Sequence, residues 1–260
     1  MSPLTLLLWG TLGACLLQLG LWAWHLRTRN AGWVDVGWAL SLGLLALLCA
    51  VQGTGHPAVR GLVGLLGGGW GLRLAAHLGH RVATEPHEDG RYRELRRSWG
   101  GNLDLKFLGF FLFQGVLAGG LALPFALAAS APALAPIHGI AAALWLGALL
   151  GESVADAQLR RFKARPTSPG LTCREGLWRY SRHPNYFFES LLWVAFALLA
   201  APAAWGWLAW SAPALILYFL LFVTGIPYTE AQSLRSRPED YARYQRETSA
   251  FLPWFPKVSA

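Results

Sequence analysis

Between residues 152 and 189 the sequence gathers the side-chain types that bind and react. In "GESVADAQLRRFKARP" Glu152 and Asp156 stand four residues apart, and Arg160 and Lys163 follow at four and then three residues. On a helix all four share one face. Acids followed by bases along one face can hold ribose hydroxyls at the acidic end and a phosphate at the basic end. The alternative for each cation taken singly is ordinary anchoring at a membrane surface. "GLWRYSRHPNYFFE" follows, running from Gly176 to Glu189. Pro184 is tolerated in the first turn of a helix, so the free N–H groups of that turn face Tyr180, Arg182 and His183, the setting of an anion seat. Asn185 offers an amide donor and acceptor. Glu189, one turn deeper, either accepts hydrogen bonds from a carboxamide or ribose or holds Arg182. One histidine and one carboxylate, His183 and Glu189, are too few for a metal site, and none is expected.

Three residues elsewhere are candidates for acid–base work. Asp35 lies in "NAGWVDVGW", and His77 lies four residues after Arg73 in "GLRLAAHLGHR". Tyr92, in "TEPHEDGRYRELRRSWG", is the one residue of that stretch suited to donate a proton. Asp35 is an acid only when protonated, and burial pushes a carboxyl that way. The plainer reading is that Asp35 and Arg73 neutralise each other between neighbouring helices. The tail "YTEAQSLRSRPEDYARYQRETSAFLPWFP" brings Glu230, Tyr241 and Tyr244. They either close over a nucleotide or belong to an interfacial helix held by Trp254 and Phe255.

The elements that must position these groups are apolar helices. The chain has 260 residues, 54% of them hydrophobic and 14% charged, with 14 tryptophans and a mean hydropathy of +0.36. A soluble domain is usually about 25% charged. Seven apolar runs are long enough to cross a bilayer: 4–26, 32–51, 58–80, 105–129, 133–155, 185–201 and 205–227. Of the 22 Lys and Arg, 20 fall on every second connection, which places the N-terminus outside and the C-terminus in the cytoplasm. The net charge of +8 is thus spent on orientation rather than on nucleic acid. The first run has no basic flank before it and no cleavage-like end, so it reads as a first span, not a signal peptide. Cys15, Cys49 and Cys173 are too few and too scattered for a disulfide framework. "GLVGLLGGGWG" lacks the lysine and preceding strand of a phosphate loop and reads as a close-packing helix face. The expectation is one all-α integral membrane domain over residues 1–260.

Four stretches, "EDGRYRELR", "ADAQLRRF", "GLWRYSRHPNYFFE" and "YQRETSAFLPWFP", resemble the bacterial membrane proteins related to steroid 5-alpha-reductase. The resemblance implies seven transmembrane helices, an inner-membrane location and NADPH as cofactor, bound from the cytoplasmic side. It implies that Asp156, Asn185 and Glu189 line the NADPH pocket, with Arg160 and Tyr180 beside them. The animal reductases carry asparagine where Glu152 aligns and arginine where Lys163 aligns. Their Gln-Glu pair and catalytic tyrosine have no clear counterpart, Asp35 and His77 standing near those places. The activity expected is reduction of a C=C bond conjugated to a carbonyl, in a lipophilic molecule that enters from among the membrane lipids. A second resemblance, through "RHPxY" and the acidic, tyrosine-bearing tail, is to the isoprenylcysteine and phospholipid methyltransferases, which bind S-adenosylmethionine. Asn185, the tail "TSAF" and seven spans favour the reductase. A non-catalytic transporter would bury charges without the cluster from Tyr180 to Glu189.

Overall fold

Helix boundaries in this chain are written by small polar residues and proline. Ser2 caps the first helix, its hydroxyl accepting from the Thr5 N–H, and Pro3 occupies the first turn. Asn102 and Asp89 cap two others in the same way. The computed structural model describes residues 1–85, 87–167 and 170–257, and among these there are helices and no strand. In order they are α1 (Pro3–Thr28), α2 (Trp33–Gln52), α3 (Pro57–Leu62), a π-helical turn (Val63–Gly68), α4 (Gly69–Thr84), α5 (Gly90–Trp99), α6 (Leu103–Leu121) and α7 (Leu123–Ala128). Then come α8 (Pro136–Lys163), α9 (Pro184–Ala200), α10 (Ser211–Tyr218), a second π turn (Phe219–Val223), α11 (Ile226–Ser236) and α12 (Pro238–Glu247).

Among the described residues five helical segments are long and apolar enough to cross a membrane: Pro3–Thr28, Trp33–Gln52, Leu103–Ala128, Pro136–Lys163 and Gly206–Ser236. They coincide with five of the seven expected runs. The other two are also helical. The run at 58–80 is α3, the π turn and α4, carrying Arg60 and Arg73. The run at 185–201 is the 17-residue α9, about 25 Å long against a hydrocarbon core of about 30 Å.

The chain forms two compact units, one of residues 1–138 and 196–212, the other of 139–195 and 213–260. In the first unit α1 packs on α6 and α2, and α2 on α4. The α2–α4 crossing is glycine on glycine. A Cβ on Gly71 would stand 2.5 Å from the Gly43 nitrogen, so no larger residue fits. This is the close packing expected of the glycine-rich run, which is helical and makes no loop. Phe107, Phe111, Val34 and Ala31 form a core cluster that includes Tyr92. In the second unit α8 meets α9 where Gly151 leaves room for the Phe188 ring, 2.3 Å from where a Cβ would be. The Trp178 indole N–H donates to the Ala155 carbonyl (2.8 Å) and pins the loop before α9 onto α8.

Candidate functional site

In the first unit the chemistry collects where α5 meets the start of α2. Asp89 caps α5 by accepting from the Arg91 N–H at 2.9 Å, which turns Tyr92 inward, 3% exposed, onto Phe107 and Phe111. The Tyr92 hydroxyl donates to Asp35 Oδ1 at 2.7 Å, and Arg91 Nη2 donates to Asp35 Oδ2 at 2.9 Å. Beside it Arg96 grips Glu88 with two bonds (2.8 and 3.1 Å), and Glu88 accepts from the Ala31 N–H at 2.6 Å. Burial, then the Asp35 charge, holds the Tyr92 phenol well above its ordinary range. Burial opposes the Asp89 charge, but Arg91 and Arg81 outweigh it and hold that carboxyl low. The result is a neutral phenol whose O–H is directed at the arginine-paired side chain of Asp35.

One expectation changes here. Asp35 is neutralised by Arg91, not by Arg73, because the cap at Asp89 brings α5 over the end of α2. His77 lies on an exposed face of α4 and makes no hydrogen bond or ion pair among the described residues. Arg91 was the partner missed. The cue was its place two residues after a helix-capping aspartate.

In the second unit α8 and α9 present an acceptor-rich wall. Asn185 Nδ2 donates to Asp156 Oδ1 at 3.3 Å, while Asn185 Oδ1 accepts from the Tyr186 N–H at 3.0 Å. Glu189 is one turn on from Asn185 and within electrostatic reach of Asp156. Glu152 is one turn before Asp156, and Arg160 and Lys163 are exposed further along α8. Carboxylates accept hydrogen bonds and cannot donate when ionised, so this wall suits hydroxyl and amide donors. Among the described residues no group of three His, Cys, Asp or Glu is placed to hold a metal.

The loop before α9 meets an anion from within the chain. The anion at that helix start is Glu230 of α11. Its Oε1 accepts from Arg182 Nε (2.7 Å) and contacts His183 Nε2 (3.2 Å), and its Oε2 accepts from Gln245 Nε2 (2.6 Å). Arg182 Nη1 also donates to the carbonyls of Gln245 (3.0 Å) and Thr248 (2.6 Å). Tyr244, fully buried, donates to the Trp178 carbonyl, and Arg174 pairs with Asp240 (3.1 Å) and Glu247 (2.9 Å). The strap after α12 returns to the same loop, the Trp254 N–H donating to the Tyr180 carbonyl at 2.9 Å while the Tyr180 and Phe255 rings meet edge-on. Burial raises the phenols of Tyr241 and Tyr244, so both remain neutral. Of the residues expected to hold a nucleotide, Arg182, His183, Glu230 and Tyr244 are therefore engaged in binding the tail to the loop, with Tyr241 buried beside them. Sequence reading missed Arg174, Gln245 and Asp240, whose roles depend on partners more than 60 residues away. A cleft of about 360 Å³ lies beside the strap, lined by Arg246, Thr248, Trp254, Phe255 and Lys257 among others.

Comparison with known proteins follows the same outline. A family model described as "Protein of unknown function (DUF1295)" matches residues 21–248. The "Uncharacterized protein C594.04c" of Schizosaccharomyces pombe is 36% identical over 78 residues, a stretch that covers 30% of this chain and 22% of that protein. No solved structure matches the chain.

Proposed function

The chain belongs to the DUF1295 family, a steroid 5-alpha-reductase-like membrane family, and from that premise we propose an NADPH-dependent reductase of a C=C bond conjugated to a carbonyl, in a lipophilic substrate. The proposal includes seven spans, with α3–α4 and α9 crossing alongside the five longer segments, the N-terminus outside and the nucleotide site at the cytoplasmic face. The observation that carries it is the α8–α9 wall, in which Asn185 Nδ2 donates to Asp156 Oδ1 at 3.3 Å while Arg160 and Lys163 stand exposed further along α8. NADPH brings phosphates for those cations as well as ribose hydroxyls for the acids, whereas S-adenosylmethionine carries no phosphate, so the wall favours the reductase over the methyltransferase reading.

The chemistry of the α8–α9 wall fits the cofactor. Asp156, Glu152 and Glu189 supply acceptors for ribose hydroxyls and a carboxamide, and Asn185 supplies both polarities. Arg160 and Lys163 supply charge for phosphates, in the order expected along α8. When bound, NADPH supplies the hydride equivalent for the β-carbon. The chain's own part is acid–base. Tyr92 is the proposed donor: once its O–H turns from Asp35 to a carbonyl oxygen, the neutral phenol polarises that oxygen and stabilises the developing negative charge. Arg91 keeps Asp35 oriented. The Tyr92 proton passes to the carbonyl oxygen, and exchange of the resulting enol with solvent water puts a proton on the α-carbon and returns one to Tyr92, completing the addition of two hydrogens across the double bond.

The test is equilibrium NADPH binding by Glu189→Gln and Asn185→Ala in nanodiscs. Both are expected to bind at least about tenfold more weakly, a loss of one or more charge-assisted hydrogen bonds, with the unliganded melting temperature near that of the wild type. Unchanged affinity in both variants would sink the assignment of the wall.

A further inference from the structure

Helix α4 has two sides of different character. It buries Trp70, Gly71 and Ala75 and exposes Gly69, Leu72, Arg73, Ala76, His77, His80 and Thr84. On a helix the rows 69–73–77 and 72–76–80–84 are adjacent, so these residues form one stripe. Toward the π turn the stripe is apolar, with Leu72 39% and Leu65 69% exposed. Its other half is cationic or protonatable, carrying Arg73, His77 and His80. Among the described residues no hydrogen bond or ion pair reaches the side chains of these three. Other arginines of the same unit are matched: Arg29 with Asp104, Arg81 with Asp89, Arg91 with Asp35, and Arg96 with Glu88. The carboxylates Asp35, Glu88, Asp89 and Asp104 are thus committed to other cations.

Arg73 cannot shed its charge, because the guanidinium stays protonated in proteins. It stands seven residues before residue 80, where the apolar run ends, about 10 Å along the axis. With α3–α4 crossing the bilayer, as proposed above, that is inside a hydrocarbon layer of about 30 Å. An ionised side chain at such depth needs a partner or a path to water. The apolar part of the stripe is a single row, Leu72 and Leu65, which suits one acyl chain rather than the two of a bilayer phospholipid.

We infer that the exposed stripe of α4 binds a single-chain anionic amphiphile, a long-chain carboxylate or phosphate monoester. Its head meets Arg73, His77 and His80, and its chain lies along Leu72 toward Leu65. The inference takes from the proposed function the membrane placement of α3–α4, and nothing from the reductase chemistry.

The experiment uses oleate as probe and oleyl alcohol as its uncharged counterpart, with the purified full chain in dodecyl maltoside and no nucleotide. Binding is read as a thermal shift and by titration. The expected result is stabilisation by oleate but not by oleyl alcohol, an affinity for oleate at least about tenfold lower in Arg73→Gln, and retention in Arg73→Lys. His77→Gln, which keeps Arg73, should weaken oleate binding to a smaller degree. Equal binding of the alcohol, or unchanged oleate affinity in Arg73→Gln and His77→Gln, would overturn the inference. So would loss of oleate binding in phosphatidylglycerol nanodiscs when it persists in phosphatidylcholine, since the occupant would then be a bilayer phospholipid. Failure of oleate while NADPH still stabilises the protein would overturn this inference alone. Failure of NADPH while oleate binds would overturn the reductase alone.

Discussion

Tyr92 holds its proton because two influences act together: the ring is buried against Phe107 and Phe111, and Asp35, paired with Arg91, accepts its O–H. Replacing Tyr92 by phenylalanine removes the acid and leaves the Asp35–Arg91 pair. Tyr92→Phe is therefore expected to lower kcat for enone reduction by about 10²–10⁴ while leaving the Kd for NADPH unchanged. An equal loss of NADPH affinity would mean that the residue shapes the fold rather than the reaction. The same bond sets a pH dependence. The folded phenol titrates well above its ordinary value, raised first by burial and then by Asp35. Its contribution to stability is thus complete below the unfolded value of about 10 and is lost as pH rises through the folded one. The melting-temperature difference between wild type and Tyr92→Phe should stay constant between about pH 6 and 9 and shrink only above about pH 10.

At the scale of elements, two contacts decide the packing. Where α2 crosses α4, Gly71→Ala would press a methyl 2.5–2.6 Å from the Gly43 backbone, which cannot move aside. The expected cost is about 1–3 kcal/mol or more, read as a lowered melting temperature. Gly69→Ala, two residues away with nothing within 4 Å, should be neutral or stabilising. In the second unit Arg182 joins α9's leading loop to α11 and the strap. Arg182→Ala leaves Glu230 largely buried beside His183, at a cost of about 3–5 kcal/mol, and should expose the strap to protease. Most helices were legible from hydropathy, and α8 runs through Lys163 as the Glu152–Asp156–Arg160 spacing requires. The α3–α4 run is less apolar because Arg73 and His77 interrupt it, and its π turn has no simple sequence period. That the loop at Arg182 and His183 meets Glu230 is not legible in the sequence, because Glu230 comes from an element 47 residues on.

For the whole molecule, composition and the distribution of arginine spoke for a helical membrane protein, and helices with five span-length apolar segments are found. Pairings such as Asp35 with Tyr92, 57 residues apart, are products of how α5 folds back over α2, and residue type alone could only nominate their members. The central claim is that the scaffold binds NADPH. Its most direct test is the melting temperature of the detergent-purified protein with NADPH, NADH or S-adenosylmethionine in turn. A ligand held by the native state at about 100 times its Kd adds roughly 2.7 kcal/mol of stability. The account predicts a clear upward shift with NADPH and none with S-adenosylmethionine. A shift with S-adenosylmethionine and none with NADPH would contradict it and turn the search to methyl acceptors.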